Sequence, residues 1–121
     1  MENASGKRDE DCTELSQRVR DIIEGKLSFD GETEEILWKT LKRFENRTYY
    51  TSKKLEYEYR IRGNEMFVSR KEKSITRSTV VLAFKKALEI QQGGEIVKGP
   101  KKLGTFGASY LYPIFQQLDI I

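Results

Sequence analysis

A chain of 121 residues, 37% hydrophobic and 34% charged, can bury a core without disulfides or metal, and its periodic apolar residues argue against global disorder. It has no histidine and one cysteine, Cys12. That removes the commonest neutral-pH acid or base, the Cys/His zinc clusters and any intramolecular disulfide, so catalysis is disfavoured.

The net charge of +3 hides an asymmetry. Residues 1–46 carry 8 Lys/Arg and 12 Asp/Glu, a net of −4, whereas residues 47–121 carry 14 and 7, a net of +7. Such a split suits an anionic partner, an oppositely charged partner, or internal pairing of the two halves. No apolar run approaches the roughly 18 residues of a membrane span. The opening MENASGKRDEDC lacks the apolar stretch of a secretory signal. A soluble cytoplasmic protein without membrane contact is expected. Residues 1–9 read as a disordered tail, and residues 10–121 as a single compact α+β domain.

In chain order, a helix is expected over about Asp11 to Glu24, with Leu15, Val19, Ile22 and Ile23 on one face and Gly25 just past its end. Asp30 is the expected N-cap of a second helix, Gly31 to Glu45, with a stripe of Ile36, Leu37, Thr40, Leu41 and Phe44. Trp38 lies off that stripe. It suits either packing at the helix edge against a hairpin or an interaction anchor. Arg47 to Thr51 reads as a short strand.

KKLEYEYRIRGNEMFVSR alternates, with Leu55, Tyr57, Tyr59 and Ile61 on one face and Glu56, Glu58, Arg60 and Arg62 on the other. Gly63-Asn64 signals a two-residue type II′ turn. That turn pairs Ile61 with Met66, Tyr59 with Val68 and Arg60 with Phe67. Thr76 is the expected N-cap of a helix to about Gln91, with Ile75 and Val80 as a hydrophobic staple and Gly93-Gly94 as the stop. Val80, Val81, Phe84, Ala87 and Leu88 form its inner stripe, and Ser78, Lys85 and Lys86 its outer side. Glu95 to Lys98 reads as a short strand. ASYLYPIFQQLDII reads as a last helix, with Pro113 placed in its first turn. The whole predicts an antiparallel hairpin or small three-stranded sheet, centred on about residues 55–69, against three to four helices.

Four constellations bear on function. KGPKKLGTFG, Lys98 to Gly107, has glycines and lysines before a helix, as a phosphate loop would. However, Thr105-Phe106 stand where the Walker pattern needs Lys-Ser/Thr, and the Rossmann glycine pattern is absent. Turning the chain sharply and packing the backbone closely is the simpler role for these glycines. No cofactor or metal site is expected.

The second is Ser74 to Leu88, SITRSTVVLAFKKAL, which resembles the recognition helix of helix-turn-helix regulators. Gly104-Thr105-Phe106 is similar to the wing of winged-helix regulators in the GntR style. The resemblance implies DNA facing Arg77, Ser78 and Thr79, phosphate near Lys85, and Lys101 and Lys102 in a wing. A helix-turn-helix also needs a helix and tight turn just before the recognition helix, and the hairpin occupies that place. It is a similarity of pattern over about 30 residues.

The third is a basic and aromatic surface: Arg60, Arg62 and Phe67 on the outer hairpin face, then Arg70, Lys71, Lys73 and Arg77. The fourth is the carboxylate pairs, Glu34 with Glu35 and Glu56 with Glu58, which read as solvated surface. The expected function is a small non-enzymatic binding or regulatory domain, with DNA the favoured partner. The candidate contacts are Arg60, Arg62, Phe67, Arg70, Lys71, Lys73, Arg77, Ser78, Lys85, Lys101 and Lys102. The alternative is a protein-interaction or homodimerisation module using Trp38, Leu82 and the hairpin edge. Third is an enzyme holding a phosphorylated ligand in the Lys98–Gly107 loop.

Overall fold

A computed structural model describes residues 14–121. The tail at 1–9, Cys12 and the start expected at Asp11 for the first helix lie outside the described residues. Among the described residues, four α-helices and two small antiparallel sheets make an α+β fold over one continuous apolar core. Helix α1 covers residues 14–23 and buries Leu15, Val19 and Ile22. Gly25 follows with φ +81°, the left-handed stop that glycine reaches without steric cost.

Helix α2, Gly31–Arg43, starts where Asp30 Oδ1 accepts from the Thr33 backbone N–H at 2.9 Å. That bond, the Thr33 hydroxyl and nearby Arg18 hold the Asp30 carboxyl below its ordinary pKa. The predicted stripe from Ile36 to Phe44 is buried.

Strands β1 (Tyr49–Tyr50) and β2 (Glu56–Tyr57) pair as one ladder. Strands β3 (Tyr59–Arg62), β4 (Glu65–Val68) and β5 (Ile75–Thr76) form the second, with β4 central. The register pairs Ile61 with Met66, Arg60 with Phe67 and Tyr59 with Val68, as the turn dictates. Gly63 takes φ +61° and Asn64 a negative φ, consistent with type II′. Glu58 separates β2 from β3, and the ladders meet there. The Ser69 N–H donates to the Glu58 carbonyl at 2.9 Å, and the Asn46 N–H to the Tyr59 carbonyl at 2.9 Å.

Helix α3, Arg77–Gln92, is capped by Thr76, and the staple residues Ile75 and Val80 are both fully buried. A 3₁₀ turn over Pro100–Leu103 leads into α4, Ala108–Gln117.

Four expectations are corrected. Glu95 to Lys98 is not a strand, having no ladder partner. Leu55 is 43% exposed, because β2 begins only after it and the chain there is still leaving a turn closed by Thr51. Pro113 sits in the middle of α4, not in its first turn. The Ser109 carbonyl therefore lacks the N–H it would otherwise take, and burial of the proline ring offsets this. Helix α4 also stops at Gln117. Asp119, at φ +61°, turns the chain so that the Ile120 N–H reaches the Phe115 carbonyl and Ile120 enters the core.

Three tyrosine hydroxyls tie the sheet to the helix backbones. Tyr59 donates to the Leu41 carbonyl at 2.6 Å, Tyr57 to that of Tyr110 at 2.6 Å, and Tyr49 to that of Phe44 at 2.8 Å. Burial pushes Tyr57 and Tyr59 well above the ordinary tyrosine pKa, and neighbouring Tyr49 adds to it. The raised folded-state value stabilises the protonated form, so this contribution is intact below the unfolded value of about 10 and is lost above it. Urea midpoints should hold steady to about pH 10 and fall above it, with a shallower fall in Tyr59→Phe. That variant should also be less stable at neutral pH by about 1–2 kcal/mol, from the unpaired Leu41 carbonyl.

The glycine loop is where backbone comes closest to the core. Gly107 has φ +78°, and a Cβ on it would stand 2.4 Å from Ile75 Cδ1. Gly104 has φ +66° but open space around it. Gly104→Ala should therefore lose about 1–2 kcal/mol from backbone strain alone. Gly107→Ala should lose about 1–3 kcal/mol more, because the buried Ile75 must move. Equal losses by chemical denaturation would contradict this role for the loop.

Candidate nucleic-acid interface

The alternation of β3 and β4 sends Arg60, Arg62, Glu65 and Phe67 to the face away from the core. Phe67 is 42% exposed and lines a shallow depression of about 340 Å³ together with Arg60 and Arg62. Neither arginine is ion-paired among the described residues. Glu65, which pairs across from Arg62, instead takes a hydrogen bond from the Ser74 hydroxyl.

The β4–β5 connection continues this surface. Arg70 Nε donates to the Glu56 carbonyl at 2.8 Å, anchoring the side chain along the strand. Lys71 and Lys73 place their ammonium groups 4.8 Å and 5.1 Å from the centre of the Phe106 ring. Such cation–π contacts are worth about 0.5–1 kcal/mol at exposed sites. Phe106 is 42% exposed. Sequence reasoning names it within the wing-like Gly104-Thr105-Phe106 but not among the candidate contacts. The available signal is an aromatic between Gly104 and Gly107, where two left-handed residues leave a ring little depth to enter. Lys101 and Lys102 stand exposed on the neighbouring 3₁₀ turn, without ion pairs among the described residues.

The α3 candidates are elsewhere. Arg77 is committed within the protein. Its Nε meets Glu34 and its Nη2 meets Glu35, both at 2.9 Å, and its Nη1 donates to Asn64 Oδ1 at 3.2 Å. The guanidinium also lies 5.3 Å from the Trp38 ring centre. Partial burial opposes its charge, and the bonds to Glu34 and Glu35 outweigh that, holding its pKa above the ordinary arginine value. The pair Glu34 and Glu35, read from sequence as solvated surface, thus converges on one arginine across more than 40 residues of chain. Ser78 is exposed beside the Thr76 hydroxyl, and Lys85 rests its ammonium 4.9 Å from the Phe29 ring centre.

Trp38 is 3% exposed and donates from Nε1 to the Gly63 carbonyl at 2.9 Å. It packs the helix edge against the hairpin, the first of its two expected roles. The hairpin edge is also covered: the Ile61 N–H donates to Glu45 Oε1 at 2.7 Å. The residues ahead of α3 are strands, so no helix-turn-helix stands there. Gly104 to Phe106 connects two helical segments instead of lying between paired strands as a wing would. Among the described residues no His/Cys/Asp/Glu cluster could hold a metal ion, and no helix is long and apolar enough to cross a membrane.

No protein-family model matches the chain, and neither curated proteins nor solved structures contain a match to it.

In a double-mutant cycle, Arg77→Met and Glu34→Gln should show a coupling of about 1 kcal/mol, because the pair is partly exposed. Arg77→Lys should not recover it, since an ammonium cannot bridge two carboxylates and the Asn64 amide in one plane.

Proposed function

We propose that this chain binds nucleic acid, with an unpaired strand lying along the outer face of β3–β4 and the β4–β5 connection. One observation carries the reading: two exposed rings, Phe67 and Phe106, each stand beside cations that have no carboxylate partner among the described residues. Arg60 and Arg62 flank the first ring, Lys71 and Lys73 the second. Phosphates would be neutralised by the cations, and bases would stack on the rings, which accept any base because every base has a π face. Lys101 and Lys102 extend the positive surface. Duplex reading by α3 is less well supported, since its first residue, Arg77, is held by Glu34 and Glu35.

The reading is tested by fluorescence anisotropy with short single-stranded and duplex oligonucleotides at two salt concentrations. Single strands should bind more tightly, and affinity should fall steeply with salt. Replacing Arg60, Arg62, Lys71 and Lys73 by glutamine should flatten the salt slope by about 0.7 for each phosphate that is no longer neutralised. Phe67→Ala and Phe106→Ala should each weaken binding by about 1–3 kcal/mol while leaving that slope unchanged. Absence of binding at low salt would overturn the proposal.

A further inference from the structure

The exposed side of α3 carries a second surface, remote in chemistry from the basic sheet face. Leu82 is 60% exposed at its centre and lines two adjoining grooves, of about 950 Å³ and about 630 Å³. Leu27, 40% exposed, and the half-buried Phe29 lie in the smaller groove. The larger groove opens toward Glu34 and Glu35, which meet Arg77 at the first turn of α3. Lys85, one turn beyond Leu82, lines both grooves, and Lys86 lines the smaller one with Glu89, 3.5 Å from its ammonium. Arg77 offsets part of the charge of Glu34, Glu35 and Glu65 on one side of Leu82, and Glu89 offsets part of that of Lys85 and Lys86 on the other. The first side is left net negative and the second net positive, with apolar residues between.

We propose that two copies of this chain associate through this surface, with a two-fold axis passing beside Leu82. The argument is charge complementarity combined with symmetry. A two-fold contact uses the same patch on both copies and therefore requires it to complement itself. Rotation about an axis at Leu82 lays α3 antiparallel on its copy. The first turn of each helix then faces the third turn of the other. Glu34 and Glu35 come opposite Lys85 and Lys86 of the copy, twice over. Leu82 meets its own equivalent, and Leu27 and Phe29 extend the apolar centre. An apolar centre with a charged rim is the ordinary anatomy of such contacts. A patch of one sign would repel itself, whereas this one attracts its own image. The association is independent of nucleic acid, because Phe67, Phe106, Arg60 and Arg62 lie outside both grooves.

Sedimentation velocity without nucleic acid tests this, over concentrations from about 1 μM to about 1 mM, the range of weak to moderate association. The mass should rise toward twice that of the chain. Leu82→Glu, at a position whose side chain faces solvent, should weaken association at least tenfold while leaving the circular dichroism unchanged. Lys85→Glu should weaken it similarly, and adding Glu35→Lys to that variant should restore it. In a Cys12→Ser background, Leu82→Cys should form a disulfide-linked dimer with diamide as oxidant, and Tyr50→Cys, exposed on β1, should not. A chain that stays monomeric throughout the range overturns the proposal. So does a dimer that survives Leu82→Glu, or one in which position 82 fails to crosslink.

Discussion

The Arg77 guanidinium is the point on which the arrangement of elements depends. From the first residue of α3 it reaches Glu34 and Glu35 of α2 and the Asn64 side chain of the hairpin turn, beside the Trp38 ring. Its own backbone N–H donates to the Asn64 carbonyl at 2.8 Å, while the Trp38 indole takes the carbonyl of Gly63. Both carbonyls of the two-residue turn are thereby held by side-chain or backbone donors from other elements. A hairpin of two four-residue strands is marginal by itself, so this docking determines where the sheet sits. At the opposite end of the sheet the tyrosine hydroxyls do the same for α2 and α4. Between the two anchors, apolar burial needs only to fill the space.

The same interaction sorts the charge. The acidic N-terminal part and the basic C-terminal part do meet, but chiefly at Arg77, with Arg20 near Asp119 as a looser second contact at 3.9 Å. Neutralising one arginine leaves most of the positive excess of residues 47–121 on the surface. Part of that excess, Arg60, Arg62, Lys71 and Lys73, lies on the sheet face and the β4–β5 connection beside Phe67 and Phe106. Glu34 and Glu35, which hold Arg77, line the groove beside Leu82. Two surfaces of different character follow from one internal pairing.

The parts of the fold governed by neighbours in sequence were legible. The hairpin register follows from alternation and a two-residue turn, so Ile61–Met66 and Tyr59–Val68 emerge together. The caps at Asp30 and Thr76 require only a short polar side chain three residues before an orphan N–H. The misread parts each turn on a distant partner. Pro113 is tolerated inside α4 because the core closes over it, which no local rule anticipates. Residues 95–98 have strand-like composition but no adjacent edge, and a strand without a partner is only extended chain. Arg77 looked like a surface cation because its carboxylates are more than 40 residues away.

The amino-acid sequence by itself determined the α+β class, the hairpin and its register, the starts of α2 and α3 and the excess of positive charge in the second half. These depend on periodicity, turn geometry and capping, which act within a few residues. Tertiary structure alone decided which cations are neutralised, that Trp38 is internal, that Phe106 is presented between Lys71 and Lys73, and that Leu82 lies between opposite charges. Those outcomes depend on which residues come within a few ångströms of one another after the chain has folded, and pair interactions at that range are not encoded in spacing along the chain.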